Sequence, residues 1–407
     1  MKWDVWSDKI VYNLLICFCL ALINLAACTL FKPAPITRET ALAKIGTRES
    51  PDFADDMDLD SARQGALRSL EYLSRLSPSA QFQYGPDTYS AEHVAKSLET
   101  FIDIVDSVPT GIELRERIKE LFWIYRSVGT DGKGKILFTG YYEPVMKGSL
   151  VCTEEYQYPI YRRPDDWTRI DLSLFDPQLS GRYVVGRHVR HTVVPYYTRA
   201  EIDTVGQLEK KGYELAWIAD PIGLFFLHIQ GSGEVVLEDG TVFKVHYSCS
   251  NGHSYSSIGK LLIDEGKIDH EEMSMQRIRA YLMSHPEAIE YVLNHNKSYV
   301  FFELVDEGPL GCIEVPLTPG RSIATDTKLF PKGALAFIHT EKPIVDEDGK
   351  IRTWIDCSRF VCNQDTGGAI KGPGRVDLFC GKGDYAEVAA GHMKQYGTLY
   401  FLVLKDS

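Results

Sequence analysis

An aspartate near the C-terminus of this 407-residue chain lies where a carboxyl group could exchange a proton with a ligand. Asp365 follows an apolar run, 354–361, and is followed by the paired glycines Gly367 and Gly368. The run predicts a buried strand, and the glycines predict the turn that ends it. A carboxyl group there is held by a rigid element, with bare backbone beside it where a bulky ligand could approach. Taken alone, the same pattern also fits an Asx-turn.

Two further aspartates, Asp326 and Asp377, lie in similar settings. Asp326 also fits a simple turn, and Asp377 also fits a solvent-facing strand position or a partner for Arg375. The segment 365–367 spells the Asp-Thr-Gly of aspartic proteases, but no second such triplet occurs. Because those enzymes need two aspartates that share a proton, a monomeric protease is excluded and a dimeric one is disfavoured.

The elements that must position these residues alternate between helical and strand patterns. Apolar spacing predicts three N-terminal helices, a Gly-rich turn and then a strand, over 61–76, 90–105, 112–128, 129–134 and 135–144. Short strands between turns fill 145–246, including 158–161, 216–218, 224–230 and 242–247. Helices follow at 255–264 and 270–283, then mainly strands, a helix at 384–396 and a strand at 398–404. Regular short strands favour barrels over a parallel βαβ sheet.

Composition and the N-terminus restrict the compartment and the partners. The net charge of −12 argues against nucleic acid, because phosphate binding needs a basic surface. Residues 10–27 are almost wholly apolar and end before Cys28, a pattern that resembles the lipobox of bacterial lipoproteins. We therefore expect a signal peptide over 1–27, lipidation of Cys28 and a polar tether over 28–60. An uncleaved membrane anchor is the alternative, since the apolar stretch is about long enough to span a bilayer.

The sequence gives no pattern of metal ligands. The cysteines beyond Cys28 lack zinc-finger spacing, and disulfides and free thiols are both open for them: Cys152, Cys249, Cys312, Cys357, Cys362 and Cys380. Cys357 and Cys362 should not pair with each other, because they face opposite sides of a strand. Two histidines lie in a loop among arginines, which disfavours a cation: His188 and His191 with Arg182, Arg187 and Arg190. We predict neither a metal nor a cofactor.

Seven motifs occur in an order that resembles one enzyme family. They are Phe138-Thr139-Gly140-Tyr141-Tyr142-Glu143-Pro144, Gln230-Gly231-Ser232-Gly233, 251–259, 274–276, 300–302, 316–326 and 363–372. Together, over about 67–404, they are similar to the membrane-bound lytic murein transglycosylase A family. The resemblance implies a mainly β fold with peripheral helices. It implies a double-psi β-barrel built from 61–144 and 247–407, interrupted by a smaller β-barrel domain over 145–246, with a substrate groove between them.

The resemblance also assigns roles to residues. It implies that Asp365 is the catalytic acid and base, supported by the carboxylates Asp326 and Asp377. Glycines let the backbone approach a sugar, polar side chains bond its hydroxyls, and a tyrosine can stack on its ring. The implied sugar-binding residues are Tyr141, Tyr142, Gln230, Gly231, Ser232, Gly233, Asn251, Gly252, Gly367, Gly368 and Lys371.

Simpler readings remain open for several of these residues. Only one of Tyr141 and Tyr142 can face the groove, because alternate strand residues point to opposite sides. The segment 230–233 also fits a flexible hairpin turn, and Lys371 also fits an ordinary surface lysine. Asn251 and the glycine after it suit a tight turn in either case.

The implied activity is cleavage of the β-1,4 bond between N-acetylmuramic acid and N-acetylglucosamine in peptidoglycan. A lytic transglycosylase uses the sugar's own C6 hydroxyl as nucleophile and forms a 1,6-anhydro end, so one carboxyl group can donate and then accept a proton. A hydrolase with a second carboxylate and a wall-binding lipoprotein without activity are the alternatives. We expect a lipid-anchored protein on the periplasmic face of the outer membrane, with possible partners in a cell-wall remodelling complex.

Overall fold

The computed structural model describes residues 35–107 and 111–405. The predicted signal peptide and Cys28 lie outside the described residues. The strands are β1 (Leu42–Ile45), β2 (Gln81–Tyr84), β3 (Asp87–Ser90), β4 (Phe122–Ser127), β5 (Ile136–Glu143), β6 (Val145–Ser149), β7 (Tyr158–Tyr161), β8 (Trp167–Asp171), β9 (Tyr183–Val189), β10 (Thr192–Pro195), β11 (Glu214–Ile218), β12 (Ser232–Leu237), β13 (Val242–Ser250), β14 (Val300–Val305), β15 (Ser322–Ala324), β16 (Leu335–Val345), β17 (Ile351–Asp365), β18 (Arg375–Lys382) and β19 (Gln395–Leu404).

Helices flank these strands. The α-helices are α1 (Leu59–Ser74), α2 (Ala91–Ser107), α3 (Gly111–Leu121), α4 (Arg199–Asp203), α5 (Pro221–Gln230), α6 (Ile258–Asp264), α7 (Met275–Ser284), α8 (Ile289–His295) and α9 (Asp384–His392), and short 3-10 helices occur at Leu172–Leu174, Pro177–Leu179, His270–Glu272 and Pro286–Ala288. Within the part of the chain that the structure describes, no helix is both long and apolar enough to cross a membrane.

Six strands close into a barrel. Their order is β19-β16-β17-β15-β18-β5, and β5 pairs again with β19 to complete the ring. The β15–β17 and β18–β5 pairs are parallel, and the other pairs in the ring are antiparallel. Closure removes free strand edges, and the apolar side chains of the barrel and of α1 to α3 share one core. The mainly β fold with peripheral helices is therefore confirmed.

A second, six-stranded sheet is inserted into this barrel. Its order is β14-β13-β12-β6-β11-β7, and a bridge between Arg162 and Phe302 joins its two outer strands. Because β13 runs to Ser250 and β14 ends only at Val305, the predicted boundary at 246 is wrong and falls inside a strand. The helices α6 to α8 lie between these two strands in the chain.

Two predicted elements have the wrong type. The helix predicted over 112–128 ends at Leu121, because 122–127 instead pairs with β1 and β19. The strand predicted over 224–230 is helix α5, which Asp220 caps at its N-terminus and Gly231 ends with φ 84°. Both segments are apolar on more than one face, and periodicity alone does not separate helix from strand there.

The predicted tether folds from residue 41 onward, so the prediction of a tether over 28–60 is wrong for that part. Strand β1 pairs with β4, and Phe53 is buried in the main core. Asp55 forms a two-pronged ion pair with Arg321, with N–O distances of 2.7 and 2.9 Å. Acidic residues in a polar segment resemble a solvated linker, but here they neutralise a buried arginine.

Candidate active site

Asp365 is the last residue of β17, and three donors surround its carboxyl group. The Tyr141 hydroxyl donates to Oδ2 over 2.8 Å. The backbone N–H groups of Cys312 and Thr366 donate to Oδ1 over 3.0 and 2.8 Å. The three bonds fix the orientation of the carboxyl group, so a ligand would meet it in one defined geometry.

The surroundings of Asp365 favour its protonated form. Burial raises the pKa of its carboxyl group to about 6, and the charge of Asp377 adds a smaller increase. The hydrogen bonds from Thr366, Tyr141 and Cys312 act in the opposite direction, because they stabilise the carboxylate. The group can therefore hold a proton in mildly acidic solution, and when it loses the proton, the three donors stabilise the carboxylate that remains.

Asp377 lies on β18, and the single strand β15 separates it from Asp365 on β17. Ala324 of β15 is the register partner of Asp365 on one side and of Asp377 on the other. The small side chain of Ala324 thus stands between the two carboxyl groups. The Thr139 hydroxyl donates to Asp377 Oδ1 over 2.6 Å. Burial raises the pKa of Asp377, while Thr139 and Arg375 oppose that rise.

Asp326 has a different position and contacts. It is buried, and its carboxyl group accepts hydrogen bonds from the backbone N–H groups of Lys328 and Gly372. Its own carbonyl accepts bonds from Leu329 and Phe330, which makes a tight turn. Asp326 therefore shapes the loop that follows Asp365, and Asp377 is the aspartate whose charge acts on Asp365.

The two tyrosines point to opposite sides of β5. Tyr141 shares a face with Thr139 and reaches Asp365. Tyr142 packs against Ala386 and Ala390 of α9 instead. At the Asp365 carboxyl group the structure therefore places only Tyr141 of the two, and sugar binding by either tyrosine stays a prediction.

A cavity of about 280 Å³ lies on the Tyr142 side of β5. Its wall includes Met146 of the inserted sheet and the ion pair between Asp220 and Arg279. Neither Asp365 nor Asp377 lines it. This cavity is separate from the carboxyl pair.

The segment 230–233 lies between α5 and β12 and contacts the end of β5. Gln230 Oε1 accepts a hydrogen bond from Tyr142 N over 3.1 Å. A Cβ on Gly233 would lie 3.0 Å from the Pro144 carbonyl oxygen and still closer to Leu227, so glycine permits the close approach. Ser232 Oγ and His246 Nδ1 lie 2.8 Å apart. The segment is thus a helix end followed by a strand start, which corrects both the predicted strand end and the hairpin turn.

Asn251 and the glycine after it have structural roles. The Asn251 amide donates to the carbonyls of Tyr197 and Lys297, and its oxygen accepts from His253 N and Tyr299 N. The residue is 1% exposed, and its side-chain amide is occupied by these four backbone groups. Its assignment as a sugar-binding residue stays a prediction.

Gly252 is an exposed turn residue. Its φ is 81°, and a Cβ there would lie 2.5 Å from Val185 Cβ. The conformation and the crowding both require glycine, which accounts for the residue without a ligand. Sugar binding at Gly252 stays a prediction.

The loop after Asp365 is partly exposed. Gly368 has no neighbouring atom within 4 Å of a built Cβ, and Lys371 is exposed with its Nζ 3.4 Å from the Gly367 carbonyl oxygen. This loop leaves open space beside the carboxyl group.

Three residues of the site, Thr139, Cys312 and Thr366, were not selected from the sequence. Thr139 lies two positions before Tyr141, so strand alternation would have placed it on the same face. The Cys312 amide comes from a distant loop, and nothing in the sequence indicates its approach to Asp365. All six cysteines in the described residues are free, and no group of three His, Cys, Asp or Glu side chains there is arranged to hold a metal ion.

Comparison with known proteins assigns the chain to a family. Two family models match it, the MltA specific insert domain over residues 137–303 and the 3D domain over 321–403. The membrane-bound lytic murein transglycosylase A of Escherichia coli K12 is 35% identical over 277 residues, 67% of each chain. This chain belongs to that family. The Vibrio cholerae member is 32% identical over 284 residues, 69% of this chain and 68% of its own.

Solved structures of the family have the same fold. A membrane-bound lytic murein transglycosylase from Agrobacterium tumefaciens superposes with a TM-score of 0.73 at 28% identity, covering 89% of this chain and 98% of its own. E. coli MltA with bound chitohexaose superposes with a TM-score of 0.69 at 27% identity, covering 92% and 98%. The barrel with an inserted β domain is therefore the fold of this family.

Proposed function

We propose that this chain is a lytic transglycosylase that cuts the β-1,4 bond between N-acetylmuramic acid and N-acetylglucosamine in peptidoglycan and leaves a 1,6-anhydromuramic acid end. The enzyme class, a lyase acting on peptidoglycan, follows from membership of the family. The observation that carries the mechanism is the Asp365 carboxyl group, which is half-buried, held by three donors and has a pKa raised to about 6.

In the proposed mechanism Asp365 acts twice. Its protonated form gives the proton to the glycosidic oxygen as the bond breaks. The resulting carboxylate is stabilised by Tyr141 and by the Cys312 and Thr366 amides, and it then accepts the proton of the C6 hydroxyl as that oxygen attacks the anomeric carbon. The nucleophile belongs to the bound sugar, so no water needs to be positioned.

A hydrolase is the second candidate, because Asp377 offers another carboxyl group on the far side of Ala324. A water-activating base should be ionised at the working pH. Burial of Asp377 raises its pKa, and Thr139 already occupies one of its oxygens, so Asp377 suits this role less well.

Replacement of Asp365 tests the assignment. We expect Asp365→Asn to lose murein solubilisation by at least about a hundredfold, as removal of a general acid does. The fold should remain, because the change removes a carboxylate that is costly to bury. The matched control is Asp356→Asn, an exposed aspartate on the same strand, which should keep full activity. Activity retained in Asp365→Asn, or unfolding detected by circular dichroism, would contradict the assignment.

We also propose that Cys28 carries a lipid that anchors the protein at the periplasmic face of the outer membrane. The family's curated relatives are named membrane-bound, which supports a membrane location. Labelling with radioactive palmitate should be lost in Cys28→Ser. Undiminished label would refute the anchor.

A further inference from the structure

Four charged side chains meet where the inserted sheet joins the barrel. Lys382 of the barrel binds both oxygens of Glu234 in the inserted sheet, over 2.9 and 3.0 Å. Lys244 of the inserted sheet lies 3.9 Å from Glu234 and donates to the Gly308 carbonyl in the loop that leads to β15. The fourth member is Glu143, the last residue of β5. The barrel therefore donates to the inserted sheet through Lys382, and the inserted sheet donates to the loop before β15 through Lys244.

Glu143 differs from the other three because it lacks a partner for one oxygen. It is 4% exposed, and its Oε1 is buried without a hydrogen bond in the described residues. Burial and the neighbouring Glu234 carboxylate raise the pKa of Glu143 to about 7, while Lys244 and Lys382 oppose the rise. A buried carboxylate without a full set of partners is costly, so the neutral form suits this position.

The position of Glu143 connects this cluster to the site. Alternate residues of β5 share a face, so Glu143 lies on the same side as Thr139 and Tyr141, which bond the two aspartates. The next residue, Pro144, begins the connection to the inserted sheet, and its carbonyl accepts a hydrogen bond from Glu234 N over 2.9 Å. A shift at this junction would therefore move the inserted sheet relative to Tyr141.

We propose that Glu143, in its neutral form, is a positioning residue that keeps the inserted domain in place against the barrel for glycan binding. This inference rests on the proposed function. With Glu143 neutral, Glu234 alone receives Lys382 and Lys244, and the contacts across the boundary are complete. When Glu143 ionises, two adjacent carboxylates repel each other and compete for the same lysines, and the inserted domain separates from the barrel.

The test measures chitohexaose binding in the full chain that carries Asp365→Asn, which removes catalysis and the titration of Asp365. If only the neutral form binds, the dissociation constant should rise about tenfold between pH 6 and pH 8. Adding Glu143→Gln, which stays neutral, should make the dissociation constant nearly independent of pH. Adding the control Glu387→Gln, a carboxylate on α9 behind β5, should leave the tenfold rise in place.

A second variant tests the same idea from the other partner. Glu234→Gln removes the like charge next to Glu143, so an ionised Glu143 meets no second carboxylate and does not compete for the lysines. The rise of the dissociation constant between pH 6 and pH 8 should therefore be clearly smaller than tenfold. An equal pH dependence with and without Glu143→Gln, or a flat profile in both, would overturn the inference. Failure of the proposed function is seen separately, as murein digestion by the unmodified chain without anhydro products.

Discussion

Asp365 is subject to two opposing effects at the scale of single residues. Burial disfavours its negative charge, and three hydrogen bonds favour it. A group that must give a proton and then hold the charge needs both effects, because either one alone would trap it in a single protonation state.

The pH dependence of the reaction follows from the raised pKa of Asp365. The acid step needs the protonated carboxyl group, so kcat/KM should fall as pH rises through about 6, the folded-state pKa. The measurement is the initial rate of murein solubilisation from pH 4 to pH 8. A rate that rises across this range would show that Asp365 acts as a carboxylate from the start.

Tyr141 sets part of that pKa. Its hydroxyl stabilises the carboxylate, so Tyr141→Phe should raise the pKa of Asp365 and move the fall in rate to higher pH. A hydrogen bond to a charged group contributes about 1.5–3 kcal/mol, so its loss should move the fall in rate by about one to two pH units. Tyr396→Phe, an exposed tyrosine on β19, is the control and should leave the profile unchanged. An unshifted profile in Tyr141→Phe would show that the bond is absent in solution.

At this scale the sequence indicated Asp365 and Tyr141 through their local setting and their motifs. It did not indicate the Cys312 amide, because a backbone group delivered by a distant loop has no signature in sequence. Nor did it indicate that the Asn251 side chain is bonded to backbone groups, since a buried polar side chain and a ligand contact look the same in sequence.

At the scale of elements, α1 supports the end of β17. The Gln364 amide donates to the Gly65 carbonyl and the Ser69 hydroxyl, and its oxygen accepts from Ser322. These buried bonds fix the residue immediately before Asp365. The carboxyl group is therefore held by the helix as well as by the barrel.

The ion pair of Asp55 with Arg321 is a buried link between the N-terminal segment and the barrel. Arg321 is fully buried, so Asp55→Asn leaves its charge without the carboxylate that forms its ion pair. The free energy of unfolding should drop by about 3–5 kcal/mol, measured by urea denaturation. Asp52→Asn breaks an exposed pair with Arg115 and should cost less than about 1 kcal/mol. Equal effects of the two changes would refute the structural role of Asp55.

Strands with a clear turn at each end were predicted well from the sequence, as β5 and β7 show. Helix α5 and strand β4 were not, because their type is decided by packing on more than one face. Strand β1 was missed because it lies in a polar stretch and is recognised only by its pairing with β4. The acidic residues after it looked like part of a linker, because their partner Arg321 is far away in the sequence.

At the scale of the whole molecule, the residues proposed for proton transfer belong to the barrel and not to the inserted sheet. The barrel supplies Asp365, Asp377 and Tyr141, and the inserted sheet meets the barrel at the Glu143 cluster. The barrel could be predicted from the ordered motifs. The limits of the inserted sheet could not, because β14 returns to it after the helices α6 to α8.

The central claim is that one carboxyl group moves a single proton while the sugar attacks itself. The most direct test digests purified murein in water enriched in oxygen-18 and examines the new ends by mass spectrometry. The account predicts 1,6-anhydromuramic acid ends without the heavy isotope. Reducing muramic acid ends that carry oxygen-18 would contradict it and would identify the chain as a hydrolase.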